Sequence, residues 1–555
     1  MIEKDLVLKN RSKETNTFLI LVLLGLVYYI AFIPPNLTGA RDVNMLSVFQ
    51  HDEFAQYPHV IRMLTPGDTL YQSLRNFVVY LHYYYGYPFY FLSALFLLPV
   101  RLFMGNGWAQ HTSTIMAVLR QSINVLPIIL STLILVWLQT KFKNRAKSLV
   151  IFILLLTLPA VVDNNMWWHP DSLLVLFTVL TLFFLTKDDF RFGRNFFFSA
   201  IPLGLAIGVK ILGVLFVLTY AVYFLYAVFS RRVSLKKAIT LSALFLLVLV
   251  FVVVATNPLL LLPIERGEII EVFKANLQQN TLGFWVKGNT SISMFQQVYQ
   301  LFGSKYTSLL LLLISFTALI YGITQKKTRT PGLVILTWAL GYTGYFLLFA
   351  STMRTHYLLP VALPVLSSLG VFKPERLLPE KRSDWVKQAF MLALLAAVLF
   401  QAGRNVLKDV GAVKSVLNRE GDSASIQMYQ TADDEVLSRL NLDRKVRIYR
   451  DWRAYVAEKE KFYITYNWDL ATYDYIQETR PDVIFLELEN MHYFSDPAKV
   501  AEAIDPTRMR DMVEFYSDAL NGRLVGYNEV LKTGFGSVFV ADGLYQQYID
   551  ESISQ

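Results

Sequence analysis

The chain has 555 residues, 54% of them apolar, and a formal net charge of +9. Residues 404–555 carry 18 Lys+Arg against 26 Asp+Glu, so the basic excess sits in the short loops of the first 403 residues. There it sets membrane orientation and makes no case for a nucleic-acid partner. With no cysteine, disulfide frameworks, thiolate metal sites and a cysteine nucleophile are excluded.

Lys4, Lys9, Arg11 and Lys13 precede an uncharged run from Thr17 to Ile33. The run exceeds the ~7–15 residues of a secretory h-region and predicts an uncleaved first span with a cytoplasmic N-terminus. Further apolar runs lie near 87–104, 123–140, 148–163, 172–186, 195–209, 211–229, 238–257, 306–324, 332–350, 355–371 and 386–403. Segments of about 17–25 such residues cross a bilayer, and they cross it as helices because lipid satisfies no backbone polar group. Lys141–Lys147, Lys187–Arg194, Arg231–Lys237, Lys326–Arg329 and Lys373–Lys387 are basic and alternate with loops that are not, which puts them inside. Parity then demands an odd number of crossings between the outer loop 34–86 and the inner loop 141–147. Only two strong runs are visible there, so the weak segment 108–122, interrupted by Gln110, His111 and Arg120, is expected to supply a thirteenth span, with a half-crossing as the alternative.

Two long loops, 34–86 and 258–305, fall outside. In the first, Phe54, Tyr57, Val60, Ile61 and Leu64 recur at helical spacing, with Asp52, Gln56 and His59 on another face. This predicts an amphipathic surface helix over 52–64 with a polar side open to reactants. Beyond residue 404, strands are expected at 444–451, 461–467, 482–488 and 534–541, and helices at 433–440 and 470–479. The expected fold is an all-α polytopic membrane domain of about thirteen helices over 1–403, followed by a small extracytoplasmic α/β domain over 404–555.

Candidate chemistry concentrates on the outer side. Asp52-Glu53 reads either as solvated loop acids or as an acid/base pair beside the membrane surface. Lys210 is an isolated cation between Gly204, Gly208 and Gly213. It is either a snorkelling helix-end lysine or a phosphate ligand, since a buried cation needs an anion. Arg354, His356 and Tyr357, with Arg62, Arg75 and His82, add outer polar groups that could stabilise a departing phosphate. In the turn Asp163–Asp171, Trp167 and Trp168 read as interfacial belt residues. Asp171, after His169-Pro170, reads as a first-turn residue complementing the helix dipole, with a sugar contact open. His51, Asp52, Glu53, His59 and His356 are available to a divalent metal, but no tight ligand spacing requires one.

Together these motifs resemble the GT-C membrane glycosyltransferases. Asp52-Glu53-Phe-Ala-Gln-Tyr57 with Val60-Ile-Arg62-Met-Leu64 matches the first-loop pattern D-E-x-x-x-(Y/F)…(A/I)-R-x-(M/L)-L. Tyr87-Pro88-Phe89-Tyr90 stands for Pro-Pro-Leu-Tyr, His169-Pro170-Asp171 for Arg-Pro-Asp, Gly204–Gly213 for G-L-A-x-G-x-x-K-x-x-G, and His356-Tyr-Leu-Leu-Pro360 for R-Y-L-L-P. The nearest branches are the protein O-mannosyltransferases and the aminoarabinose lipid A transferases. The resemblance implies an inverting transfer of a sugar from a polyprenyl-phosphate donor to a protein, lipid or glycan acceptor at the outer face of the plasma (inner) membrane. It casts Asp52 as general base, Glu53 as positioning the acceptor or a metal, and Lys210 and Arg62 as ligands of the donor phosphate. Tyr57, His59, His82, His169, Asp171, Arg354, His356 and Tyr357 fill the surrounding substrate site. Glu53, His51 and His356 are the candidates for a metal, the one cofactor left open. The chain departs from the pattern at His169 and His356, where arginines are usual, and at the single proline before Phe89. A transporter or flippase of lipid-linked sugars is the competing function, and it calls for ionisable groups near mid-membrane and inverted repeats.

Overall fold

The computed structural model describes residues 2–283, 285–286, 293–351, 353–372, 385–440 and 442–553. Lys373, Arg376, Lys381 and Arg382 lie outside the described residues. Among those described, seven helices are long and apolar enough to cross a membrane, or nine if the bent pairs Arg145–Leu156 with Pro159–Asn165 and Met294–Tyr306 with Leu309–Thr324 each count as one span. Arg194–Val209 and Thr355–Val371 are apolar but shorter. This is a multi-pass membrane protein. At its centre Asp171–Asp188 packs against Leu126–Thr140, Ala200–Val209, Arg329–Phe349 and Leu359–Ser367. Its apolar residues face protein on every side, as in a buried helix.

The expected span at 108–122 is not there. Gly105–Gln110 is a 3₁₀ turn, and Thr112–Leu119 is the start of one helix that continues through a π turn at Arg120–Val125 to Thr140. Both ends of the apolar helix Tyr87–Met104 meet groups of the loop side. Tyr87 N–H donates to Asn257 beside the Gly86–Val209 contact, and beyond the far end Tyr57 Oη donates to the Ala109 carbonyl while Ser113 Oγ donates to Ala40. Two of the candidate spans, Tyr87–Gln110 and Thr112–Thr140, therefore lie between loop 34–86 and loop 141–147.

The first loop folds into helices Val43–Phe49, His51–Leu64 and Leu70–Val78. Phe54, Tyr57, Val60 and Leu64 bury the apolar face of the second, as its spacing predicts, with Met63 beside them and Ile61 only partly buried. Gln56 is also fully buried, so the opposite face is not simply open to reactants. The C-terminal unit also sits on this loop. The last long helix, Trp385–Asn418, runs past residue 403. It leads to a five-stranded sheet in the order β2-β1-β3-β5-β4, where β1 is Val446–Arg450, β2 Phe462–Thr465, β3 Val483–Glu487, β4 Tyr527–Lys532 and β5 Gly536–Ala541. β1 pairs in parallel with β2 and β3, while β5 is antiparallel to β3 and β4. Arg450, buried at the end of β1, donates to Ser47 Oγ at 2.8 Å and Asn44 Oδ1 at 3.1 Å, and Tyr455 Oη donates to Asp42 at 2.6 Å. Phe54 packs edge-on against Tyr466, and His51 against Trp452.

Candidate active site

Asp52 and Glu53 are neighbours with different fates. Glu53 is sealed from solvent. Arg120 grips it with Nε on Oε1 at 2.8 Å and Nη2 on Oε2 at 2.5 Å, while the Trp168 N–H donates to Oε1 at 2.7 Å. Arg120 Nη1 also donates to the carbonyls of Asn36 and Thr38. Both Glu53 oxygens are thus engaged by partners within the protein. Glu53 joins the loop helix to the bundle and fixes the backbone at Trp168, one residue before His169. Asp52, on the exposed side of the same first turn, is half-buried and forms no hydrogen bond or ion pair among the described residues.

A second group of buried polar side chains surrounds Asp171. Asp171 Oδ1 accepts from Lys210 Nζ at 2.9 Å, Oδ2 meets His169 Nδ1, and His356 Nε2 stands 3.8 Å from the same Oδ2. Tyr85 Oη lies 2.7 Å from His169 Nε2. Trp167 stacks on His169 at 4.0 Å and meets His356 edge-on, and Lys210 Nζ sits 4.6 Å over the Tyr357 ring. Burial lowers the His169 pKa against the pull of Asp171, and Asp52 acts on this ring as well. Burial, then Asp52, Tyr357 and Asp171, push the Tyr85 phenol well above its usual range. Asp52 thus acts electrostatically on two members of the cluster, His169 and Tyr85.

Local backbone explains the convergence. Lys210 is extended (φ −152°, ψ 126°) between Ala200–Val209 and the 3₁₀ turn Ile211–Phe216, so its side chain leaves a helix end, not a helix side. Gly86 lies so close to Gly208 that a Cβ on Gly86 would fall 1.5 Å from the Gly208 carbonyl oxygen. That approach brings the Tyr85 segment beside Lys210. Asn124 clamps the His169 peptide, donating to its carbonyl at 3.1 Å and accepting from its N–H at 3.3 Å.

Other expected site residues lie elsewhere. Tyr57 is buried with its hydroxyl on Ala109, and Arg62 reaches Val79 O and Asn76 at 3.4 Å, lining a separate cleft of about 380 Å³. His82 Nδ1 pairs with Tyr90 Oη at 2.6 Å while its ring lies 5.2 Å from His59. Arg75 pairs with Glu265. His51 packs against Trp452, away from the converging ligand atoms of His169, Asp171 and His356. Of the three metal candidates, only His356 stands with other ligand groups. Arg354 is exposed, within electrostatic reach of His356. Reading from sequence missed Tyr85 and Trp167 as cluster members, and Arg120 as the partner of Glu53.

Residues 104–256 match the family described as dolichyl-phosphate-mannose-protein mannosyltransferase. The chain is similar in structure to ArnT from Cupriavidus metallidurans bound to undecaprenyl phosphate, at 14% identity and TM-score 0.51, over 94% of this chain and 97% of that one. The apo structure of the same ArnT is 13% identical over 95% and 98%, with TM-score 0.49. No curated protein matches the chain by sequence. At such identity the structural likeness speaks for the fold. With the family match, it bears out the superfamily resemblance.

Proposed function

For a chain of the ArnT/PMT-like GT-C superfamily, we propose an integral-membrane glycosyltransferase that moves a sugar from a polyprenyl-phosphate donor to an acceptor beside the first loop. The observation that carries this reading is Asp52: an unpaired, half-buried carboxylate in the electrostatic environment of His169, Asp171 and Lys210. The acceptor O–H or N–H loses its proton to Asp52 as it attacks the anomeric carbon. The phosphate leaves from the opposite face of the sugar, inverting the centre. Lys210 and Arg354 meet the charge that develops on the leaving oxygen. The undecaprenyl phosphate held by ArnT is the reason for the donor class. Basic loops on the opposite side argue for a plasma (inner) membrane location with a cytoplasmic N-terminus, and for the site and the sheet unit on the extracytoplasmic face.

Purified full-length protein in detergent, given a polyprenyl-phosphate sugar and an envelope lipid or glycan extract, is expected to yield free polyprenyl phosphate and a glycosylated product. Movement of intact donor across vesicles without product would instead make it a flippase.

A further inference from the structure

The cluster around Asp171 has an imbalance of charge. Lys210 is already matched by Asp171, while His169 and His356 stand where the family pattern has arginines. A phosphate leaving group therefore meets less positive charge here than two guanidiniums would supply. The same replacement creates ligands. His169 Nδ1, Asp171 Oδ2 and His356 Nε2 lie within 4.8 Å of one another, and no other set of three His, Asp or Glu groups converges like this among the described residues. Asp171 is fully buried, His169 2% exposed and His356 8% exposed. His169 Nδ1 and Asp171 Oδ2 pair with each other, and Lys210 holds Oδ1.

From this geometry we infer that His169, Asp171 and His356 form a binding site for one divalent cation of the zinc class, which restores the charge of the two missing arginines. Two imidazoles and a carboxylate with an open position are a ligand set such ions take. Tyr85 completes it. With the ion bound, His169 Nε2 keeps its proton and donates to Tyr85 Oη, leaving the Nδ1 lone pair for the metal. Without the ion, Nδ1 carries the proton toward Asp171 and Tyr85 donates to Nε2. A hydrogen-bond partner on the far ring nitrogen is how ligating histidines are oriented. A phosphate oxygen would be a suitable further ligand for such an ion. That role rests on the proposed transferase function; uptake of the cation does not.

The test uses full-length protein in detergent, stripped with chelator and titrated with Co²⁺, read by elemental analysis and by the visible d–d absorption of the bound ion. About one Co²⁺ per chain is expected, displaced by Zn²⁺. His169→Ala and His356→Ala should abolish the band, and Tyr85→Phe should weaken binding by roughly 10- to 100-fold. If an alanine variant fails to fold, the Tyr85→Phe titration and the wild-type stoichiometry still decide. Wild-type protein that takes up neither Co²⁺ nor Zn²⁺ stoichiometrically, a band that survives both histidine variants, or unchanged affinity in Tyr85→Phe overturns the assignment. No donor or acceptor is present, so metal uptake without transfer activity would count against the enzyme reading alone, and transfer without uptake against the cation site alone.

Discussion

Arg120→Met strands the Glu53 carboxylate out of reach of bulk solvent. Both side chains of this pair are 0% exposed, and removing one partner of such a pair costs ~3–5 kcal/mol because a buried charge is left uncompensated. At about 1.4 kcal/mol per tenfold, local opening of the helix His51–Leu64 should rise on the order of 10² to 10³. Amide hydrogen exchange across 51–64 and 164–169 reads this directly, since both segments hang on the pair. The double variant Glu53→Met/Arg120→Met removes both charges and should recover much of the loss. Recovery stays incomplete, because the Asn36 carbonyl and the Trp168 N–H lose their partner. Wild-type protection in Arg120→Met, or a double variant worse than the two single losses added, would refute the argument that Glu53 is a structural anion.

Three further expectations follow from the same contacts. Burial lowers His51 to about 4, with Arg453 the next cause, and lowers His82 to about 3, with His59 the next. The unfolded chain, with an ordinary value near ~6.5, therefore binds these protons first: stability from these rings is complete above pH ~6.5 and drains as pH falls toward 4. Exchange in 43–64 and 79–86 should quicken over that window, and His51→Gln with His82→Gln should flatten the profile. Gly86→Ala drives a methyl into the Gly208 carbonyl and should cost ~1–3 kcal/mol as overpacking, seen as a lower melting temperature; an unchanged melt would deny the close approach. Lys210→Met should leave the sheet unit intact and weaken donor binding at least tenfold, measured with polyprenyl phosphate; wild-type affinity would remove Lys210 from the phosphate site.

Much of the fold is legible because its causes are local. The uncharged runs, the apolar spacing of 54–64 and the strands at β1, β2, β3 and β5 announce themselves by period and length. β4 (Tyr527–Lys532) does not, since its residues are only partly buried and carry charge. The 108–122 segment is no separate span because its second half is the first part of the helix that continues to Thr140, a continuity that hydropathy alone does not reveal. Of the site, Asp52 and Lys210 were readable as charges out of place. Arg120 was equally so, an isolated cation in an apolar run that has to have an anion, and it should have pointed to Glu53. Asp171 was masked by its position, because a first-turn aspartate is explained well enough by the helix dipole. Only the tertiary approach of Gly86 to Gly208 shows that the Tyr85 segment meets Lys210 there.

The sharpest measurement is single-turnover sugar transfer from a polyprenyl-phosphate donor by Asp52→Asn beside wild type, with hydrogen exchange confirming an unchanged fold. Loss of the proton acceptor should slow transfer by about 10² to 10⁴ while donor binding persists. Transfer at the wild-type rate would contradict the role given to Asp52.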